Sequence, residues 1–221
     1  MQEEQIRKNF LQIQEDIAPY RLNIIAVTKY FDESAMEAAY RAGLRDFGES
    51  RAVEAVEKIQ RLPDEVRKNS KFHFIGHLQT NKVKKVVGTF DLIHSVDSCK
   101  LAEVISEEAL KHGKVQDILL QLNNAGEVQK SGYSKENLFS DFPKITALKG
   151  VKVKGLMNMA PLGADEKTLE NLFTDVIAVR DELQNKFNCE MKEISMGMSQ
   201  DYKIAARCGS TMLRIGRKLF E

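Results

Sequence analysis

One pattern runs the length of the chain. Short apolar runs of strand length alternate with longer stretches whose apolar residues recur every three or four positions. The strand-like runs are 22–27, 44–47, 72–75, 90–94, 115–122, 151–157, 190–194 and 211–215. Between them the spacing predicts helices over 34–42, 51–61, 80–87, 101–112, 136–142, 166–187 and 201–208. Gly43, Gly113 and Gly209 stand where helix C-terminal glycines belong, and Pro63 stops one helix. An opening segment, about Gln2 to Ile17, puts Ile6, Phe10, Ile13 and Ile17 on one face, and Pro19 closes it. Strict alternation argues for a parallel sheet with crossover helices. Eight such units close naturally into a (β/α)₈ barrel, and 221 residues lie within its length range. A doubly wound open sheet is the competitor. Against it, no G-x-G-x-x-G follows the first run and no linker or composition shift divides the chain. The expected fold is α/β, a single TIM barrel over residues 1–221 with an extra N-terminal helix.

Charge and cysteine usage narrow the functional classes. Lys and Arg number 33 against 32 Asp and Glu, a net charge of +1, so a generic polyanion binder is excluded. Cys99, Cys189 and Cys208 are too few and too scattered for a disulfide framework or a zinc site, which suits a reducing compartment. The N-terminus has no signal-peptide apolar core, and no apolar run approaches ~18 residues. The expected location is cytoplasmic, with no membrane and no nucleic acid as partner.

In a parallel barrel the site lies at the C-terminal strand ends. The first run ends in Val27-Thr28-Lys29. Lys29 reads either as a surface lysine closing a strand or as an amine in the barrel mouth. Desolvation there would disfavour the ammonium and leave a nucleophile able to form a Schiff base. Spacing alone leaves both open. The seventh run leads into Met196-Gly197-Met198-Ser199, with Ser199 placed to cap the next helix. The eighth passes Arg214 into Gly216 and Arg217. Gly197 and Gly216 would let backbone approach a ligand, and helix-start N–H groups favour an anion. These are two ordinary turns or a phosphate site.

Other constellations weaken on inspection. His73 and His77 stand four apart without a third ligand, so a metal site is not expected. Asp46-Phe47-Gly48 lacks the rest of a kinase signature. The basic start of the 80–87 helix reads as a solvated face, and Met157, Met159, Met196 and Met198 read as filler.

Taken together, AVTK (26–29), FGES (47–50), HFIGHLQTNK (73–82), IHSVDS (93–98), GLMNMAP (155–161), SMGMSQDY (195–202) and GSTMLRIGRKLF (209–220) resemble the pyridoxal phosphate homeostasis protein family. The resemblance implies a barrel like the N-terminal domain of alanine racemase, binding pyridoxal 5′-phosphate (PLP). It places Lys29 as the lysine of the Schiff base, Ser199 and the backbone at Gly216 and Arg217 as the phosphate cradle, and Arg214 facing the pyridine nitrogen. The family's second-strand motif usually reads GEN, whereas this chain has Gly48-Glu49-Ser50. A serine hydroxyl on a shorter arm replaces a carboxamide there, so Ser50 is the weakest of the implied cofactor contacts.

A pyridine nitrogen facing a permanent guanidinium stays unprotonated, since two cations would otherwise meet, and an unprotonated ring is a poor electron sink. Racemisation also needs an acid/base on the opposite face, which full-length racemases bring from a second domain. This chain ends at Glu221, and of its tyrosines Tyr30 and Tyr202 fall near the expected mouth. The expectation is therefore a non-enzymatic PLP-binding protein in vitamin B6 homeostasis, with effects on amino-acid and keto-acid metabolism. PLP-dependent apo-enzymes are its expected partners, and the chain is taken as a monomer. The alternatives are a weak PLP-dependent amino-acid racemase or, with the resemblance set aside, a barrel enzyme acting on a phosphorylated sugar.

Overall fold

The computed structural model describes residues 3–126 and 131–221. Among these residues eight strands lie parallel and close into a barrel in chain order, β8 pairing with β1. They are β1 (Asn23–Val27), β2 (Asp46–Glu49), β3 (Lys71–Phe74), β4 (Leu92–Val96), β5 (Gln116–Leu122), β6 (Val151–Asn158), β7 (Glu193–Met198) and β8 (Met212–Ile215). The helices are α1 (Glu3–Asp16), α2 (Glu33–Arg41), α3 (Ala52–Arg61), α4 (Asp64–Lys68), α5 (Val83–Val86), α6 (Cys99–Lys111), α7 (Lys135–Thr146), α8 (Glu166–Phe187), α9 (Tyr202–Arg207) and α10 (Arg217–Phe220). The barrel and the additional first helix are as expected; Gln2, where that helix was expected to begin, lies outside the described residues.

Strand parity separates two cores. On β1, Ile24 and Ala26 join the large apolar layer between sheet and helices, whereas Ile25 belongs to a second cluster with Leu92, Leu119, Met157 and Met212. Successive strand side chains point to opposite faces, so this second set, drawn from five strands, fills the barrel interior. The same parity turns Asp46, His73, His94, Ser195 and Arg214 inward, and the barrel's centre is accordingly part apolar and part polar.

Helix ends follow local chemistry. Asp165 Oδ1 accepts from Thr168 N at 2.9 Å and opens α8, and Asn188, left-handed at φ 47°, closes it. Leu169, Phe173, Val176, Val179 and Leu183 form its buried stripe. Ser98 and Ser134 cap α6 and α7 in the same way.

Three departures from the sequence reading have physical causes. α7 does not stop before Pro143 but runs through it to Thr146, because Phe142 and Ile145 are buried on either side. The lost N–H bond costs less than exposing them would. Pro63 ends α3 but also opens α4, a helix the sequence reading lacked. β7 was expected over 190–194 and in fact reaches Met198, with a register shift between Ser195 and Met198. Gly197 is part of that irregularity, not a point of ligand approach. At φ 95°, a Cβ there would lie 2.6 Å from Ala205 Cβ and 2.8 Å from Leu213 Cδ2, inside the protein. The longer strand delays α9 to Tyr202, so Asp201, not Ser199, occupies its N-cap position.

Candidate functional site

The C-terminal strand ends surround a cavity of about 640 Å³, within the range of small-molecule sites. Lys29, Ser199, Arg214, Gly216 and Arg217 all line it. Four separate loops and strands therefore converge, although these residues span nearly the whole sequence. Ser50 is not brought to this cavity. It borders a neighbouring depression with His77 and Lys82, and its backbone is pressed against Gly76, where a Cβ would come within 2.3 Å of Ser50 O.

Lys29 sits in the turn that follows β1, half-buried, with Nζ 5.0 Å from the centre of the Tyr30 ring. A buried ion pair that the sequence reading missed holds this turn. Lys58 Nζ, from α3, contacts Glu49 Oε1 at 2.5 Å and donates to Thr28 O at 2.9 Å and Phe31 O at 2.8 Å. Thr28 Oγ1 donates to the same Glu49 oxygen at 2.7 Å. The carbonyls bracketing Lys29 and Tyr30 are thus fixed to one ammonium, whose three hydrogens all have partners. A lysine on the buried face of an amphipathic helix was the available signal.

Arg214 is 4% exposed. Its Nη1 donates to Ser195 O at 2.7 Å and Ser195 Oγ at 2.6 Å, and Nη2 donates to Asn158 O at 2.8 Å. Burial pulls the guanidinium down to about 10, with Asp201 acting in the opposite direction, so it remains a cation at neutral pH. Asp201, also unrecognised in the sequence, lines the cavity too. Burial raises its carboxyl above the usual range, against the Met198 N–H that it accepts at 2.5 Å and the charge of Arg214.

The loops after β7 and β8 meet directly. Lys218 N, in the first turn of α10, donates to Ser199 Oγ at 3.4 Å, and Gly216 occupies the N-cap position of α10. A Cβ on Gly216 would stand 3.6 Å from Val27 Cβ and O, an ordinary contact on the cavity wall. Tyr202 does not line this cavity; it is buried, with its hydroxyl donating to Asp16 of α1.

Residues 1–220 match the family described as alanine racemase, N-terminal domain. A pyridoxal phosphate homeostasis protein of Synechocystis sp. is 39% identical over 202 residues, 91% of this chain and 92% of that one. The chain belongs to the pyridoxal phosphate homeostasis protein family. The structure of PipY, a COG0325 family member of Synechococcus elongatus PCC7942, solved without PLP, superposes with a TM-score of 0.92 at 34% identity, over 98% of this chain and 100% of that one. PipY has also been solved with PLP bound, and that form gives a TM-score of 0.88 over the same shares. Alanine racemase of Clostridium difficile 630 shares the fold, with a TM-score of 0.77 at 13% identity, over 98% of this chain and 55% of that one.

For a member of the pyridoxal phosphate homeostasis protein family, the cavity has suitable chemistry. A primary amine, a buried donor-only guanidinium and a side-chain-free wall at Gly216 open on one space. Among the described residues no group of three or more His, Cys, Asp or Glu could hold a metal ion. Nor is any described helix long and apolar enough to cross a membrane.

Proposed function

We propose that this chain binds pyridoxal 5′-phosphate in the 640 Å³ cavity, holds it through Lys29, and takes part in its intracellular homeostasis. The observation that carries this reading is the convergence of Lys29, Arg214 and the joined Ser199 and Gly216 loops on that one space. When bound, PLP supplies an aldehyde that condenses reversibly with a primary amine. Lys29 presents that amine from a turn immobilised by Lys58 and Glu49. Ser199, Gly216 and the first amides of α10 supply hydroxyl and N–H groups for the phosphate, and the exposed Arg217 adds charge beside them. Arg214 offers N–H donors to the ring nitrogen and disfavours its protonation. Ser50, in the adjoining depression, is at most a peripheral contact.

The same arrangement supports a carrier over a racemase. Tyr202 is committed to Asp16, and Tyr30, 76% exposed, shares the Lys29 turn instead of facing it from across the cavity. The ligand would be held, released and passed to PLP-dependent apo-enzymes by a cytoplasmic monomer.

The test is an absorbance scan of the PLP-loaded protein, then borohydride reduction and peptide mapping. The pyridoxyl group is expected on Lys29, with the visible band lost in Lys29→Ala. A pyridoxyl group on Lys82 or Lys154 would sink the assignment. A turnover number on the order of 1 s⁻¹ for any amino acid, lost in Lys29→Ala, would sink the carrier reading.

A further inference from the structure

Behind Arg214 a line of polar side chains crosses the barrel interior. Arg214 Nη1 meets Ser195 Oγ at 2.6 Å, Ser195 Oγ meets His94 Nδ1 at 2.9 Å, and His94 Nε2 meets His73 Nδ1 at 3.0 Å. His73 Nε2 then meets Asp46 Oδ1 at 2.9 Å. Each link comes from a different strand: β8, β7, β4, β3 and β2. Ser195 and His94 are fully buried and His73 is 2% exposed, while the Asp46 side chain keeps 19% of its surface at the far, N-terminal end of the barrel.

The two ends fix every hydrogen between them. A guanidinium can only donate and a carboxylate can only accept. If Ser195 Oγ accepts from Arg214, its own hydrogen goes to His94 Nδ1. His94 then donates through Nε2 to His73 Nδ1, and His73 donates through Nε2 to Asp46. Each imidazole carries one hydrogen, on Nε2, and every link is satisfied. The opposite arrangement, with His73 doubly protonated and His94 donating to Ser195, leaves the Ser195 hydrogen without an acceptor in this line. It would also set a second cation near Arg214. Burial, with the Arg214 charge nearby, keeps His94 well below its usual titration range, so His94 carries a single hydrogen in either arrangement.

We propose that Asp46, His73 and His94 are positioning residues that lock Ser195 as an acceptor for Arg214, and so hold the guanidinium in the one orientation that presents its remaining donors to the ring nitrogen of a bound pyridine. The proposal rests on the placement of PLP in the cavity above. It gives the carboxylate at the bottom of the barrel a role in recognition at the top, relayed by hydrogen-bond direction instead of contact.

The first arm of the test needs no ligand. Long-range ¹H–¹⁵N spectra of the full chain report which ring nitrogens of His73 and His94 carry hydrogen. Both rings are expected as single Nε2–H tautomers, turning to mixed tautomers in Asp46→Asn, whose amide can donate or accept. Mixed tautomers or an imidazolium in the wild type would overturn the chain, as would tautomers unchanged by Asp46→Asn. The second arm compares the affinity of PLP with that of its analogue bearing carbon in place of the ring nitrogen. A charge-assisted hydrogen bond is worth roughly tenfold or more, so the wild type should prefer PLP by about that factor. In Asp46→Asn the preference should fall to about threefold or less. Loss of general stability would weaken both ligands alike and leave the ratio unchanged, so an unaltered ratio would overturn the proposal. His94→Gln, which interrupts the line at its centre, should lower the ratio similarly and serves if Asp46→Asn folds poorly. Equal binding of both ligands to the wild type removes the role of Arg214 and this proposal with it. Failure of PLP to bind at all is a separate result, and sinks the functional reading on which the proposal stands.

Discussion

Replacing Lys58 by methionine tests the physical basis of the Lys29 turn. Methionine retains most of the aliphatic stem and removes the ammonium. Glu49, whose side chain is 3% exposed, would keep only the Thr28 hydroxyl among its bonds to this cluster, and Thr28 O and Phe31 O would both lose a donor. Removing one partner of a buried pair costs about 3–5 kcal/mol, because the other charge stays desolvated. For 221 residues the unfolding entropy is on the order of 0.46 kcal/mol/K, so the melting temperature should fall by about 6–11 °C. Calorimetry at neutral pH measures this. Adding Glu49→Gln removes the uncompensated charge and should recover part of the loss. The carbonyls of Thr28 and Phe31 still lack their donor in the double variant, so Lys29 should react with PLP more slowly than in the wild type. A fall of less than about 2 °C for Lys58→Met, under 1 kcal/mol, would show that the pair is solvated in solution and that something else holds the turn. Recovery of both stability and reaction rate in the double variant would show that the charge mattered and the two carbonyl bonds did not.

Gly216→Val should bind PLP much more weakly; titration beside a melting curve separates lost affinity from lost stability, and unchanged affinity would remove the phosphate from this wall. Ser199→Ala loses one hydroxyl from the proposed cradle and should weaken PLP about 10-fold while leaving pyridoxal, which lacks the phosphate, nearly unaffected. Gly197→Ala should lower stability by roughly 2–4 kcal/mol through its left-handed backbone and the overlap with Ala205 and Leu213, and denaturant unfolding with a smaller loss would contradict that packing. The Asp201 carboxyl is raised by burial, so the stability it contributes is complete below the unfolded value of about 3.9 and is lost as pH rises through its higher folded value. Asp201→Asn does not ionise, and should therefore melt progressively higher relative to the wild type over that interval; a difference independent of pH would refute the assignment.

Much of the candidate site was legible because barrels place their chemistry at a known end. Once eight strand-like runs were recognised, Lys29, Ser199, Arg214, Gly216 and Arg217 stood at or just past three strand ends, and the structure brings them to one cavity. Ser50 stood in an equivalent position after β2, yet borders another depression, since strand number says nothing about where around the rim a loop leans. The cap expected at Ser199 falls on Asp201 because a glycine inside a strand reads locally as a turn, and only pairing with β8 shows that β7 continues to Met198.

The sequence by itself determined the alternation, hence the number and order of parallel strands, and with it the barrel and the end at which ligands meet it. Periodicity is local, and α8 was delimited at 166–187 from it alone. What only the tertiary structure decided were the relations between residues far apart in the chain. Glu49 and Lys58 are nine positions apart and unremarkable as a pair until β2 and α3 bury both against the Lys29 turn. His73, His94 and Ser195 each look like an isolated polar interruption of an apolar strand, and His73 was set aside for want of a third metal ligand. Closing the barrel points all three inward at hydrogen-bonding distance, where the cost of burying each is offset by bonds to the others and, at the two ends, to Asp46 and Arg214. Such a network leaves no period in the sequence, because its members are neighbours only through the closed sheet.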